Sequence, residues 1–466
     1  LKIISFFKSK IQFFHGGFSL ATRVPFSFIL VIGLMLFALF FGAGNLIFPP
    51  MLGQSAGMNV WPANAGFLLT GVGLPLLGVL ALGFSGKDDL QSLASRVHPV
   101  FGIVFTTVLY LAIGPLFALP RSGNVSFEIG VKPFLSDSPG SAPLLIFTII
   151  FFSITCLFSI NPAKVVGIVG KILTPIKITF IGILVVVAFK HPIGDFQAPI
   201  NNYSVQPFFN GFREGYLTMD TLASFVFGII IINAIKEKGA KTKKQIMMVC
   251  AKATGIAAFF LATMYSALSY MGASSVEKLG HLENGGTILA KVSDYYFGAY
   301  GGILLGLMIT VACLTTSVGL VTSCSSFFHK LFPKVPYKTI AISLSIFSAI
   351  VANIGLTQLI AVSIPLLTAI YPLAIVLIFL TFFHSLFKGK AEVYQGSLLL
   401  TFIVSLFDGL NRAGIHFSSI NNFFNEILPM YDVGLGWIIP AIVGGFIGFS
   451  SSILRGKFGL NPPTSS

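Results

Sequence analysis

The chain has 466 residues, of which 9% are charged and 55% hydrophobic, with a mean hydropathy of +0.90 and a net charge of +14. A soluble domain carries about 25% charged residues, and no water-soluble interior hides this much apolar surface, so lipid is the solvent for much of the chain. The apolar residues fall in many separate runs, which excludes a single-span receptor, and the positive charges are scattered over short loops, which argues against a nucleic-acid partner.

Residues 1–26 carry basic and aromatic side chains, among them Lys2, Phe6, Phe7, Lys8, Lys10, Phe13 and Phe14. No signal-peptidase site follows them, so they are expected to form a cytoplasmic or interfacial segment. A hydrocarbon core of roughly 30 Å takes about 20 residues of helix. Backbone facing lipid must satisfy its own hydrogen bonds, as a helix or in a closed barrel. Barrel strands alternate apolar and polar residues. The runs here are apolar all round, so helices are expected. The pattern predicts an all-α polytopic membrane protein with twelve transmembrane helices, at about 27–48, 62–84, 99–120, 143–161, 165–189, 217–235, 247–272, 299–328, 338–354, 360–387, 395–410 and 434–453. Helical spacing of apolar residues continues from Arg121 to Lys132, so the third can run on to about 133.

Placing the N-terminus inside puts 22 of the 29 Lys and Arg residues on the inner side, which by the positive-inside bias favours two cytoplasmic termini. The run from Lys236 to Lys244 reads as a solvated cytoplasmic loop held by anionic headgroups. Cys156, Cys250, Cys313 and Cys324 lie inside apolar runs, fit no zinc spacing and read as small core residues.

The first span contains Phe40-Phe41-Gly42-Ala43-Gly44-Asn45 ahead of Pro49. Glycine tolerates non-helical backbone, so the helix can unwind there. The N-terminus of the outer half would then offer free N–H groups and a positive dipole end to a carboxylate. The freed carbonyls of the inner half would suit an ammonium group or a sodium ion. An α-amino acid carries both charges on one carbon. The plainer explanation is that the glycines only allow close helix packing. Spans one to five (27–189) and six to ten (217–387) cover similar lengths. Five is odd, so a second copy would sit inverted in the membrane, giving a five-plus-five inverted repeat followed by two further helices (395–453) and a cytoplasmic tail (454–466). The counterpart interruption is expected within Thr221-to-Gly228 of the sixth span. In the eighth span, Thr315-Thr316-Ser317 follow Ala312. Membrane hydroxyls usually bond back to the preceding turn, but Thr315 and Thr316 can also supply oxygen ligands to Na⁺.

Here the residues carry a resemblance. Gly42-Ala43-Gly44-Asn45 with Phe48-Pro49, Ser224 with Phe227-Gly228, and Ala312 with Leu314-Thr315-Thr316-Ser317 resemble the three signature segments of the bacterial leucine transporter fold. The chain from about 27 to 453 more closely resembles the branched-chain amino acid:cation symporters, through Phe40-to-Pro50, Gly215-to-Asp220 and Pro120-Arg121 through Ser126-Phe127-Glu128. The resemblance implies a multi-pass transporter of the bacterial inner membrane, with broken helices 1 and 6, that imports Leu, Ile and Val with Na⁺ or H⁺ and uses no cofactor. It also implies residue roles. The amides of Ala43 and Gly44 would hold the substrate carboxylate, with Tyr110 as a further donor. The carbonyls of Phe40, Thr221 and Leu222 and the hydroxyl of Ser224 would hold the ammonium, and Phe227 would line the side-chain pocket. The carbonyls of Ala38, Phe41 and Ala312 with the hydroxyls of Thr315 and Thr316 would hold the cation. Two departures stand out. Val226 replaces a second glycine, and Leu222 replaces a hydroxyl that serves a second sodium. One cation site is therefore expected, with Asn45 structural or at the edge of the substrate. Leu, Ile and Val differ by about one methylene, worth about 1–3 kcal/mol, so one apolar pocket would accept all three.

Asp220 has two readings, an intramembrane acid with a function or a first-turn residue favoured by the helix dipole. Arg121 and Glu128 are seven apart, two turns on one helical face, and are expected to form a structural ion pair rather than a gate with Asp220. His98 before Pro99 reads as a loop residue. Gly83-Phe84-Ser85-Gly86 resembles an intramembrane serine-protease motif, but it sits at a span end without a midspan histidine. No paired intramembrane aspartates occur, and no enzyme is expected. No repeated filter sequence supports a channel. A proton symporter or an amino-acid exchanger of the same fold is the serious alternative to Na⁺ coupling.

Overall fold

The computed structural model describes residues 25–87, 89–135, 140–160, 174–237, 240 and 242–457. The N-terminal segment to residue 24, residues 165–173 of the expected fifth span, Lys238 and Lys241 of the basic loop and the tail from 458 lie outside the described residues.

The first span is two helices, α1 (Phe26–Phe40) and α2 (Ala43–Ala56). The second comprises α3 (Val60–Leu68) and α4 (Leu74–Ser85), joined by a wider π-type turn over Leu69–Gly73. A short helix α5 (Leu90–Ala94) leads to the third span, α6 (Pro99–Leu111) and α7 (Ala118–Gly130), which bends at Gly114 before Pro115. The expected extension beyond Arg121 is therefore present. His98 caps α6, accepting the Val100 N–H at 3.2 Å. Next come α8 (Ala142–Ser159) and α9 (Thr174–Lys190). A short helix α10 (Pro207–Glu214), absent from the sequence reading, runs through a tight turn at Gly215–Thr218 into α11 (Asp220–Glu237), at a 46° bend. Helices α12 (Lys243–Leu279) and α13 (Gly285–Leu331) are long, and α13 kinks at Gly298. The chain ends with α14 (Tyr337–Ala352), α15 (Leu356–Phe382), α16 (Ala391–Arg412), α17 (Ser418–Ile427) and α18 (Ile438–Lys457).

Each expected span thus contains a described helix, the fifth only from Thr174 onward. Among the described residues eight helical segments are long and apolar enough to cross a membrane, or nine with the bent pair α10–α11; α1 and α14 are shorter apolar helices. Large apolar side chains such as Ile146, Ile150, Leu307, Phe446 and Ile447 are exposed, as expected where lipid is the solvent. The centre is a continuous packed cluster to which α1, α2, α4, α11 and α12 contribute Phe37, Phe40, Phe48, Val79, Phe225 and Tyr265, with Phe41 from the break between α1 and α2. Around this core α2 packs on α12, α7 on α13, and α11 on α4, which brings the interruptions of spans one and six together.

Candidate functional site

The first interruption is local. The Phe41 N–H still bonds the Phe37 carbonyl at 2.8 Å, then Phe41 turns to ψ 77 and Gly42 is extended at φ −110, ψ −156. Asn45 reaches back from the first turn of α2, and its Oδ1 accepts the Gly42 N–H at 2.9 Å. Gly42 needs no left-handed backbone. It needs space, because a Cβ there would stand 3.2 Å from both Oγ1 and Cγ2 of Thr316. The break therefore abuts the hydroxyl-bearing stretch of α13.

The second interruption lies elsewhere than the sequence suggested. Thr221-to-Gly228 stays helical, and the chain breaks at Met219, which is left-handed with φ 64. Gly228 serves packing: a Cβ there would approach Leu82 Cδ1 at 3.0 Å and Val79 Cα at 3.3 Å. The turn is fixed by Thr218, whose hydroxyl donates to the Gly215 carbonyl at 2.9 Å and accepts the Asp220 N–H at 3.3 Å.

Between the breaks lies a small cavity of about 30 Å³, lined among others by Phe40, Ala43, Gly44, Asn45, Phe227 and Thr316. That is room for about two waters. A branched side chain enters only if the walls part. Phe40 and Phe227 meet edge to face at 5.7 Å across its apolar side.

Two buried charges complete the lining, Arg121 and Asp220, each 3% exposed. Arg121 does not pair with Glu128, as its spacing had suggested. Its Nη1 donates to the Leu217 carbonyl at 2.6 Å and its Nη2 to the Thr218 carbonyl at 3.3 Å, and its guanidinium lies over the Phe48 ring at 5.2 Å. Bending the chain at Met219 turns these carbonyls away from a regular helix, which makes them available. Glu128 pairs instead with Lys132 one turn on, at 2.8 Å. Asp220 opens α11, so the dipole reading holds in part. Its Oδ2 also accepts from Asn45 Nδ2 at 2.5 Å and from the Tyr265 hydroxyl at 3.0 Å, and Asn45 Nδ2 contacts the same hydroxyl. Asn45 thus ties the two breaks together.

The remaining residues singled out from sequence are placed as follows. Ser224 points at α4: its hydroxyl donates to the Thr221 carbonyl at 2.6 Å and fills the space beside Gly78. The Thr221 hydroxyl donates to the Thr70 carbonyl at 3.3 Å, and Leu222 is buried. None of these three lines the cavity. Tyr110 also lies outside the lining, its ring stacked on Phe327 at 4.3 Å. Ala38, Phe41 and Ala312 are buried near the first break, and the Thr315 and Thr316 hydroxyls donate to the Ala312 carbonyl at 2.7 and 3.3 Å. A donating hydroxyl keeps its lone pairs. Thr218, Met219 and Tyr265 were not anticipated. A tyrosine amid the apolar seventh span was the available signal, since a buried Tyr hydroxyl usually finds a partner.

Over 92% of its length the fold matches that of a solved nucleobase-cation-symport-1 family transporter in a closed conformation with bromovinylhydantoin bound, at a TM-score of 0.63, 11% identity and 93% coverage of that chain. It also matches MhsT in complex with L-phenylalanine, at 0.51, 16% identity, and 94% and 100% coverage. By sequence the chain is 70% identical to the branched-chain amino acid permease BrnQ of Bacillus subtilis over 94% of its own length and all of that protein. It is 52% identical to the permease BraB of the same organism over 93% of this chain and 97% of that one. It is 40% identical to BrnQ of Escherichia coli K12 over 89% and 93% of the two chains. The family described as branched-chain amino acid transport protein matches residues 27–454. The chain belongs to that family of membrane transport proteins.

Proposed function

We propose that the protein imports leucine, isoleucine and valine by symport with Na⁺. The observation that carries this reading is the contact of the first break with Thr316. It sets the carbonyl end of α1 beside the oxygens of α13, next to a cavity whose apolar side is built from Leu39, Phe40, Ile113, Ala223, Phe227 and Leu320. Interrupted helices with carbonyls toward a cation and amides toward an anionic group are how secondary transporters hold ion and substrate at one level of the membrane. The Ala43 and Gly44 amides would take the carboxylate. The carbonyls of Ala38, Phe41 and Ala312 and the hydroxyls of Thr315 and Thr316 would take the cation, a set of hard oxygen ligands. The family relatives named branched-chain amino acid permeases support the substrate class.

Proteoliposomes prepared without sodium are expected to accumulate labelled leucine when external Na⁺ is supplied. Equal uptake in choline and sodium buffers at fixed pH would remove the sodium coupling. Thr316→Ala is expected to raise the Na⁺ concentration for half-maximal uptake about tenfold, the equivalent of about 1.4 kcal/mol. Thr155→Ala should leave it unchanged, because Thr155 only bonds back to Phe151 within α8 at 2.8 Å. Similar shifts in both variants would sink the assignment of the ion to Thr316.

Proton coupling is the second reading, and the buried Asp220 carboxylate favours it, since intramembrane acids mark proton paths. Leucine accumulation driven by an inward proton gradient in sodium-free buffer would select it. Uptake only into vesicles preloaded with amino acid would select an exchanger.

A further inference from the structure

We infer that Arg121 and Asp220 are the two charged poles of the substrate site, Arg121 receiving the α-carboxylate and Asp220 the α-ammonium. The inference rests on the reading of the cavity as an amino-acid site and says which side chains hold the zwitterion there.

Three observations carry it. First, the two charges line one cavity without neutralising each other directly. The terminal nitrogens of the guanidinium face the Leu217 and Thr218 carbonyls, while Asp220 Oδ2 faces Asn45 and Tyr265. Second, Arg121 has donor capacity left over. Its Nε–H is buried and has no hydrogen-bond partner, an arrangement that costs free energy unless an acceptor arrives. Third, Arg121 stands directly over the first turn of α2. A Cβ on Gly44 would lie 2.9 Å from Nη2 and 3.3 Å from the Thr218 Cα, so the guanidinium sits against the bare backbone at Gly44. An anion in this corner meets the guanidinium and the free amides of a helix N-terminus together.

The ammonium side follows by elimination within this geometry. Thr221 and Leu222 lie in the continuous helix α11, and Ser224 faces α4. The carbonyls freed by the bend at Met219 are already engaged by Arg121. The Phe40 carbonyl on the cavity wall already accepts the Gly42 N–H at 2.7 Å, and Asp220 is the anionic acceptor on that wall, oriented by Asn45 and Tyr265. One cation and one anion give a neutral site, matched to a ligand of no net charge. Lysine or glutamate would bring an unmatched charge into a buried space, which is costly.

The test separates the poles with half-ligands. Purified full-length protein in lipid nanodiscs is titrated with leucine, with 3-methylbutylamine (leucine without its carboxylate) and with 4-methylpentanoate (leucine without its ammonium). Asp220→Asn is expected to weaken leucine and the amine at least tenfold and to leave the acid within twofold. Arg121→Gln is expected to weaken leucine and the acid at least tenfold and to leave the amine within twofold. Equal losses for both half-ligands in either variant would show a structural role and overturn the assignment, as would leucine affinity within twofold of wild type in either. If a variant does not fold, Asp220→Glu and Arg121→Lys take its place, with the same pairing of losses expected at smaller size. If the wild-type protein binds a neutral amino acid other than the branched-chain ones, the substrate reading fails. The poles are then judged with the decarboxylated and deaminated forms of that amino acid.

Discussion

Asn45→Asp should lower leucine uptake about a hundredfold or more, at least as severely as Asn45→Ala. The two variants separate two jobs of one side chain. Asn45 Oδ1 caps the Gly42 N–H, and Nδ2 donates to Asp220 and Tyr265. Aspartate keeps an acceptor for Gly42 but, when ionised, has no donor for Asp220. It places an oxygen where a nitrogen stands 2.5 Å from the Asp220 carboxylate. Hydrogen bonds to charged groups are worth about 1.5–3 kcal/mol each, and two carboxyls in contact in a buried site cannot both ionise, so the pair holds a proton and the charge and donor pattern of the site changes. If capping the break were the main role, Asn45→Asp would behave like wild type and Asn45→Ala alone would fail. Initial rates of labelled leucine uptake in proteoliposomes, normalised to reconstituted protein, decide between these outcomes.

How much of this was legible in the sequence depends on where each signal resides. The spans are carried by composition over about 20 residues, and lipid enforces that composition, so they read clearly. The first break was legible because Gly42, Gly44 and Asn45 are out of character in an apolar run. Its reason was only half legible, since Gly42 is crowded by Thr316, some 270 residues on, and not by its own backbone angles. The second break was misplaced because methionine carries no turn signature. Met219 is held left-handed by Thr218 and Asp220 on either side and by Arg121 on the carbonyls before it. Arg121 illustrates the limit of periodicity. A seven-residue spacing suggested Glu128, whereas its partners lie beyond residue 215 and Glu128 had a nearer lysine in Lys132. Ser224 matched a signature by type, yet the face it takes is set by Gly78 across the helix interface, which no local pattern reports.

The clamp on α2 leads to the second large effect, Gly272→Ala, which is expected to destabilise the protein by about 1–3 kcal/mol and to impair uptake although it touches no part of the cavity. The helix that presents Ala43 and Gly44 is gripped by backbone contact on two sides. A Cβ on Gly272 of α12 would stand 2.1 Å from the Pro50 carbonyl, one on Gly53 of α2 would stand 1.9 Å from the Ser269 carbonyl, and one on Gly285 of α13 would stand 1.9 Å from the Ile47 carbonyl. None of these neighbours is a side-chain tip that can swing aside, so α2 and α12 must move apart. Tyr265 lies two turns from Gly272 on the same helix and bonds Asp220. Separation at Gly272 therefore reaches the cavity through the hydroxyl of Tyr265. Gly255, on α12 as well, has nothing near its absent Cβ. Gly255→Ala should be neutral or stabilise by about 0.5–1 kcal/mol, the helical preference of alanine over glycine. Thermal unfolding of the two purified variants, read beside leucine uptake, tests the account. A drop in both quantities for Gly272→Ala with neither for Gly255→Ala is expected. Equal behaviour of the two variants would mean that general helix tolerance, and not the clamp on α2, governs this interface.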